Sequence, residues 1–164
     1  MILMLVTRSD ERLGRIVRAA VDGGVNVVQI RGGEAEVIRR AAGNARVLIN
    51  GVDHLPENVP GRALGRSVHS VEAALRAELD GCEYVVAGSV FPTSSHPDGP
   101  VGGVELIEAV ANAVRIPVIA IGGINAANAR ACIDAGARGV AVISAIFDAG
   151  DPKRAAEELW RAIA

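Results

Sequence analysis

Aromatic residues are few: one Trp, one Tyr and two Phe in 164 residues. Neither a base-stacking nucleic-acid surface nor an aromatic-lined pocket is expected from so small a supply. Lysine is scarcer still, with Lys153 alone, no basic cluster occurs, and the formal net charge is −2. The electrostatic footprint of a nucleic-acid binder is therefore missing, and nucleic acid is not expected as a partner. Cys82 and Cys132 are far apart, with no metal-ligand spacing, and read as small apolar core residues of a reducing compartment. Long hydrophobic runs are absent too. The opening MILMLVT is too short for a membrane span or a signal segment, and Arg8 and Asp10 follow it closely. A cytoplasmic protein with no membrane partner is expected. What is present is 50% hydrophobic and 22% charged, enough for one globular domain over residues 1–164 with a substantial core.

Apolar periodicity alternates between strand and helix along the chain. Strands are expected at 2–6, 25–30, 47–50, 63–68, 83–87, 118–121 and 139–143. Helices are expected at 12–22, 34–42, 71–79 with Ser70 as its N-cap, 104–114, 126–135, and from Pro152 to Ile163 behind Asp151. Between Asn50 and Arg62 no full helix–strand–helix passage fits, so a fourth strand is at best the piece 53–55. This pattern predicts an α/β fold, a trimmed (β/α)8 TIM barrel whose third and fourth outer helices are reduced or absent. An open doubly wound sheet is the alternative that the pattern leaves standing.

The most informative stretch is the last third. VIAIGGIN at 118–125 and GVAVISAIF at 139–147 are continuous apolar runs, as strands buried on both faces require. Each ends in small residues: Gly122 and Gly123 in the first, Ser144 and Ala145 in the second. Small residues after the last two strands of a barrel allow backbone N–H groups close to an anion, so a phosphate site is expected there. The competing reading is that these glycines only make tight turns.

Barrel chemistry lies at the C-terminal strand ends. Those ends here carry Thr7, Gln29, Arg31, Asn50, His54, Ser67, His69, Ser89, then Thr93, Ser94, Ser95 and His96, then Gly122, Gly123 and Ser144. The loop from Pro92 to Gly103 is long for a compact domain and reads as a binding loop. Its hydroxyls and imidazole suit a phosphate or carboxylate.

Five segments carry a resemblance: Val27–Arg31, Gly65–Ser70, Tyr84–Thr93, Ile116–Ile124 and Gly139–Ile146. Together they resemble the thiamine phosphate synthase/TenI superfamily, over nearly the whole chain. That resemblance implies a (β/α)8 barrel acting on a phosphorylated thiazole. One branch couples a pyrimidine diphosphate to a thiazole phosphate with Mg²⁺; the other isomerises a thiazole phosphate carboxylate. Synthases carry Arg-Glu-Lys after strand 2, Asn-Asp after strand 3 and an aspartate after strand 4. This chain has Arg31-Gly32-Gly33, Asn50-Gly51 and Leu55–Pro60 without aspartate. Losing a lysine and two carboxylates removes means of neutralising a pyrophosphate. The expectation is therefore a TenI-like thiazole tautomerase working by metal-free proton transfer, with no cofactor and little synthase activity. Tautomerases resemble one another in a Gly-His-Val-Phe run, where this chain has Gly88-Ser89-Val90-Phe91. The proton shuttle is then expected at His96 or His69, with Ser89 assisting. Gln29, Arg31, Asn50, Ser67, Thr93 and Ser95 are expected around the substrate, with Gly122, Gly123 and Ser144 on its phosphate. A diverged synthase and a non-catalytic phosphate-binding barrel are the rivals. A homodimer is expected, because missing outer helices leave one side of the strand layer open.

Overall fold

The computed structural model describes residues 1–93 and 99–164. Along the chain run β1 (Ile2–Val6), α1 (Leu13–Asp22), β2 (Val27–Ile30), α2 (Ala35–Ala41), β3 (Arg46–Ile49), β4 (His54–Leu55), β5 (Gly65–Val68) and α3 (Val71–Leu79). They are followed by β6 (Tyr84–Ala87), α4 (Gly103–Ala113), β7 (Val118–Ile121), α5 (Ala129–Asp134), β8 (Gly139–Val142), α6 (Ser144–Phe147) and α7 (Pro152–Ile163). All pairings are parallel, in the order β3-β2-β1-β8-β7-β6-β5-β4. A doubly wound sheet reverses its order at a switch point. Here β1 lies directly beside β8, and a bridge between Asn50 and His54 brings the two outer strands together. The result is a nearly closed barrel, and the open-sheet alternative is set aside.

Strand alternation divides the apolar side chains into two layers. Met4, Val6, Leu48, Tyr84, Val86, Ile119 and Ala141 fill the barrel interior. Leu3, Leu5, Val28, Val85, Ala120 and Val140 face outward and pack under the helices. Small residues suit this narrow bore. A Cβ on Gly65 would stand 2.1 Å from Tyr84 Cζ, so glycine is what lets the tyrosine ring cross the interior.

Neither β3 to β4 nor β4 to β5 is connected by a helix, as the spacing predicts. The first link turns at Gly51 (φ +83°), and Gly51 N–H donates to His54 O at 2.7 Å. The second link is held by an arginine. Arg66 points out of β5, is only 5% exposed, and donates through Nη1 to Val59 O and through Nη2 to Gly61 O, each at 2.6 Å. Its guanidinium thus covers the strand face where a helix would otherwise pack, and gives the Val59 and Gly61 carbonyls a donor within the chain.

Two helices differ from expectation. The one expected at 126–135 begins at Ala129. Asn125 Oδ1 accepts from Ala127 N–H and Asn128 Oδ1 from Asn125 N–H, an Asx-type turn that competes with the first helical turn. The short α6 lies within what reads in sequence as the end of an apolar run. Ser70 caps α3 as expected, accepting from Ala73 N–H at 3.1 Å. No helix among the described residues is long and apolar enough to cross a membrane.

Candidate functional site

A cavity of about 390 Å³ opens at the C-terminal ends of the strands. Arg31, Asn50, Ser67, His69, Ser89, Thr93, Gly122, Gly123 and Ser144, all expected on sequence grounds, line it together. Gln29 stands one layer below. It is buried and donates from Nε2 to Asn50 Oδ1 at 3.2 Å, so it supports the lining without forming it. Ser95 and His96 lie outside the described residues.

Each polar group has a local reason for its place. Thr7, buried at the end of β1, donates its hydroxyl to Gly32 O at 2.6 Å and accepts from Arg31 N–H at 3.3 Å. This fixes the backbone that carries Arg31. The Arg31 guanidinium itself has no hydrogen-bond or ion-pair partner among the described residues, a permanent positive charge at the rim. Across the mouth, His69 is paired with Glu57: Oε2 accepts from His69 N–H at 2.7 Å and lies 2.8 Å from Nδ1. Glu57 sits on the segment that Arg66 holds, so the two tethers set one wall of the cavity.

The adjoining wall is made of two loops bound edge to edge. Val90 N–H donates to Ile121 O at 2.9 Å and Phe91 N–H to Gly122 O at 3.0 Å. Gly122 and Gly123 have φ of +106° and +63°, and a Cβ on either would strike Ser89 or Pro92. The two glycines therefore do make a tight turn, and that turn is also cavity wall. The main-chain N–H groups of Gly123 and Ser144 have no acceptor among the described residues.

Below Ser67 lies a polar chain inside the barrel. His54, 2% exposed, has Nε2 2.8 Å from Ser67 Oγ and Nδ1 3.2 Å from Tyr84 Oη. Burial, with a smaller push from the Arg66 charge, lowers the His54 pKa to about 4. Burial likewise raises Tyr84 to about 12. Both are neutral at ordinary pH.

Sequence reasoning missed Glu57 as cavity lining and the partnership of His54 with Tyr84. The readable signal for Glu57 was Arg66. An arginine in a four-residue strand of a buried sheet must spend its donors on something, and the nearest candidates were the carbonyls of the 56–61 segment.

The superfamily's synthase branch implies Mg²⁺, and the fit of the residues to it is poor. Glu57 is the one carboxylate lining the cavity among the described residues, and it is already engaged by His69. No group of three or more His, Cys, Asp or Glu among the described residues is placed to hold a metal. Hard divalent cations want several oxygen ligands, which the described lining does not supply.

Comparison with known proteins gives a consistent picture. Residues 52–146 match the TMP-TENI family model, described as thiamine monophosphate synthase. The chain is 47% identical over 118 residues to a thiamine-phosphate synthase of Pyrococcus horikoshii, a match covering 69% of this chain and 57% of that protein. It is 36% identical over 196 aligned positions to a thiamine-phosphate synthase of Pyrococcus abyssi, covering 98% and 95%. A solved structure of thiamine phosphate pyrophosphorylase from Pyrococcus furiosus superposes with a TM-score of 0.84 at 32% identity, covering 99% of this chain and 95% of that one. These findings overturn the tautomerase expectation, the isomerase class and the expectation of little synthase activity, because the relatives are named as synthases. The tautomerase argument rested on three strand-end segments, and such loops vary among relatives more readily than the barrel that holds them.

Proposed function

The chain belongs to the thiamine monophosphate synthase family, and on that premise we propose that it couples a phosphorylated thiazole to a pyrimidine carried as its diphosphate. The observation that carries this reading is the cavity. Its lining brings together the Arg31 guanidinium and the N–H groups of Gly123 and Ser144, none with a hydrogen-bond partner among the described residues. An arginine fork and backbone amides are the donors that suit phosphate oxygens. A site with two sets of anion donors suits a reaction with two phosphorylated reactants.

The chemistry asked of the protein is positioning and charge. A nitrogen–carbon bond forms between the thiazole ring nitrogen and the pyrimidine methylene as the carbon–oxygen bond to diphosphate breaks. The electron pair leaves with the diphosphate. Gly123 and Ser144 hold the phosphate of the thiazole partner, while Asn50 and Ser67 face the diphosphate of the pyrimidine partner. Arg31 meets the charge that grows on the leaving group. A cytoplasmic location accompanies this reading, supported by two buried, unpaired cysteines.

The test is to incubate purified protein with both substrates, with and without Mg²⁺, and to follow thiamine phosphate. Formation is expected. Binding of the thiazole phosphate with no product under either condition would overturn the reading and favour a non-catalytic barrel.

Arg31→Met is expected to lower kcat/KM for this reaction by about 10- to 100-fold, the worth of one charge-assisted contact of ~1.5–3 kcal/mol. The residue is exposed, so the melting temperature should hold. Unchanged kinetics would remove Arg31 from the site.

The proposal also includes a twofold dimer. Val52 and Val59 on the helix-free side, and Leu75 and Leu79 on neighbouring α3, are exposed, Leu79 by 86%. Burying them against a second copy satisfies the open side of the barrel. Sedimentation equilibrium at micromolar concentration should give twice the 16.9 kDa chain mass. A stable monomer would refute the dimer.

A further inference from the structure

We infer that the buried Tyr84–His54–Ser67 chain fixes Ser67 as a hydrogen-bond donor to the anionic ligand, with His54 as a positioning residue that never meets the ligand. The donor role rests on the reading proposed above; the tautomer beneath it does not.

The argument is one of proton accounting. A neutral imidazole has one N–H and one lone pair. His54 is enclosed and has a hydroxyl at each nitrogen, Tyr84 at Nδ1 and Ser67 at Nε2. Two arrangements satisfy the ring. In the first, Tyr84 donates to Nδ1 and Nε2–H donates to Ser67, whose own proton then points elsewhere. In the second, Nδ1–H donates to Tyr84 and Ser67 donates to Nε2.

The second arrangement strands a proton. Tyr84 is buried, and no acceptor other than His54 lies within reach of its hydroxyl among the described residues. An unmet buried donor is costly, while Ser67 opens on the cavity and can always find an acceptor there. The first arrangement leaves nothing unmet. The phenol is also the stronger acid of the two hydroxyls, which favours it as the donor to nitrogen.

The packing enforces this geometry. Tyr84 reaches His54 only because Gly65 between them lacks a side chain, and the two rings lie 5.7 Å apart at 22°. Lowering of the His54 pKa to about 4 keeps the ring neutral, so that its one lone pair remains for Tyr84. A second chain behaves alike: Gln29 occupies Asn50 Oδ1, which leaves the Asn50 amide N–H groups to face the cavity. Both interior chains end by presenting donors, as a ligand rich in oxygens requires.

The first test needs no variant. Nitrogen-15 NMR of the intact protein at neutral pH, with only three histidines to assign, should show His54 protonated at Nε2 and bare at Nδ1. A His54 proton on Nδ1 overturns the proposal. The second test is calorimetry with inorganic diphosphate. Ser67→Ala and His54→Phe are each expected to weaken binding about tenfold. The double variant should be no weaker than Ser67→Ala, because His54 acts through that hydroxyl. Additive losses, or loss of stability in His54→Phe with affinity unchanged, would make His54 purely structural and overturn the proposal. The two readings fail separately. An Nδ1 proton in a protein that forms thiamine phosphate sinks the relay alone. An Nε2 proton with coupled diphosphate losses but no thiamine phosphate sinks the proposed reaction alone.

Discussion

Gly123→Ala is expected to destabilise the protein by about 2–5 kcal/mol and to abolish binding of a thiazole phosphate. Two costs add. Gly123 holds φ at +63°, where an L-residue costs roughly 1–2 kcal/mol. The new Cβ would stand 2.4 Å from Pro92 O and 2.8 Å from Phe91 Cβ, and overpacking of this kind costs typically ~1–3 kcal/mol. Neither atom belongs to a flexible side-chain end, so the β6 loop itself must move. That loop carries Ser89 and Thr93 on the cavity wall, which is why binding should go with stability. Urea titration gives the stability change, and an unchanged midpoint would show that the two loops are not tightly packed. The same contact means that a charged substitution at Gly123 cannot report on phosphate electrostatics alone.

Much of this molecule was legible in its sequence because the relevant physics is local. A continuous apolar run placed the β7 strand, and helical periodicity with cap residues placed α3 behind Ser70 and α7 behind Asp151, at their observed bounds. The lack of room between Asn50 and Arg62 foretold the two missing helices. Polar residues recurring at one end of successive strands gathered the polar lining of the cavity apart from Glu57, since every strand of a parallel barrel points the same way. What stayed hidden depends on contacts across the barrel. His54, Gly65 and Tyr84 lie in one layer of the interior, yet 11 to 30 positions separate them in the chain. Nothing in the spacing announces that a glycine clears the way for a tyrosine to reach a histidine. Arg66 is similar: the sequence shows an arginine in a strand beside the missing helices, and only the fold shows which carbonyls its guanidinium reaches. The family's branch was misjudged for a different reason. Three short departures near strand ends were given more weight than likeness along the rest of the barrel, and chemistry argued from absent residues ignores what other groups supply.

Between pH 6.5 and 4 the protein is expected to lose stability through His54, by about 2 kcal/mol on going from pH 7 to pH 4.5. The folded-state pKa is lowered from 6.5 to about 4. As pH falls the unfolded chain therefore takes up a proton before the folded one does. The contribution is whole above pH 6.5, shrinks as pH drops below it, and reaches its full loss of about 3 kcal/mol once pH passes below 4. The cause is physical enclosure: the ring is 2% exposed, and a charged imidazole there would be repelled by the Arg66 charge and lose its acceptor role toward Tyr84. Carboxylates elsewhere also respond to acid, so the comparison must be internal. Urea unfolding of the wild type and of His54→Phe at pH 7 and pH 4.5 separates them, because every other titrating group is shared. The variant starts less stable at pH 7, with Tyr84 and Ser67 deprived of their partner, but its decline on acidification should be the shallower by about 2 kcal/mol. Parallel declines in the two proteins would mean that His54 is hydrated and titrates as in an unfolded chain, and the enclosed imidazole would have to be abandoned.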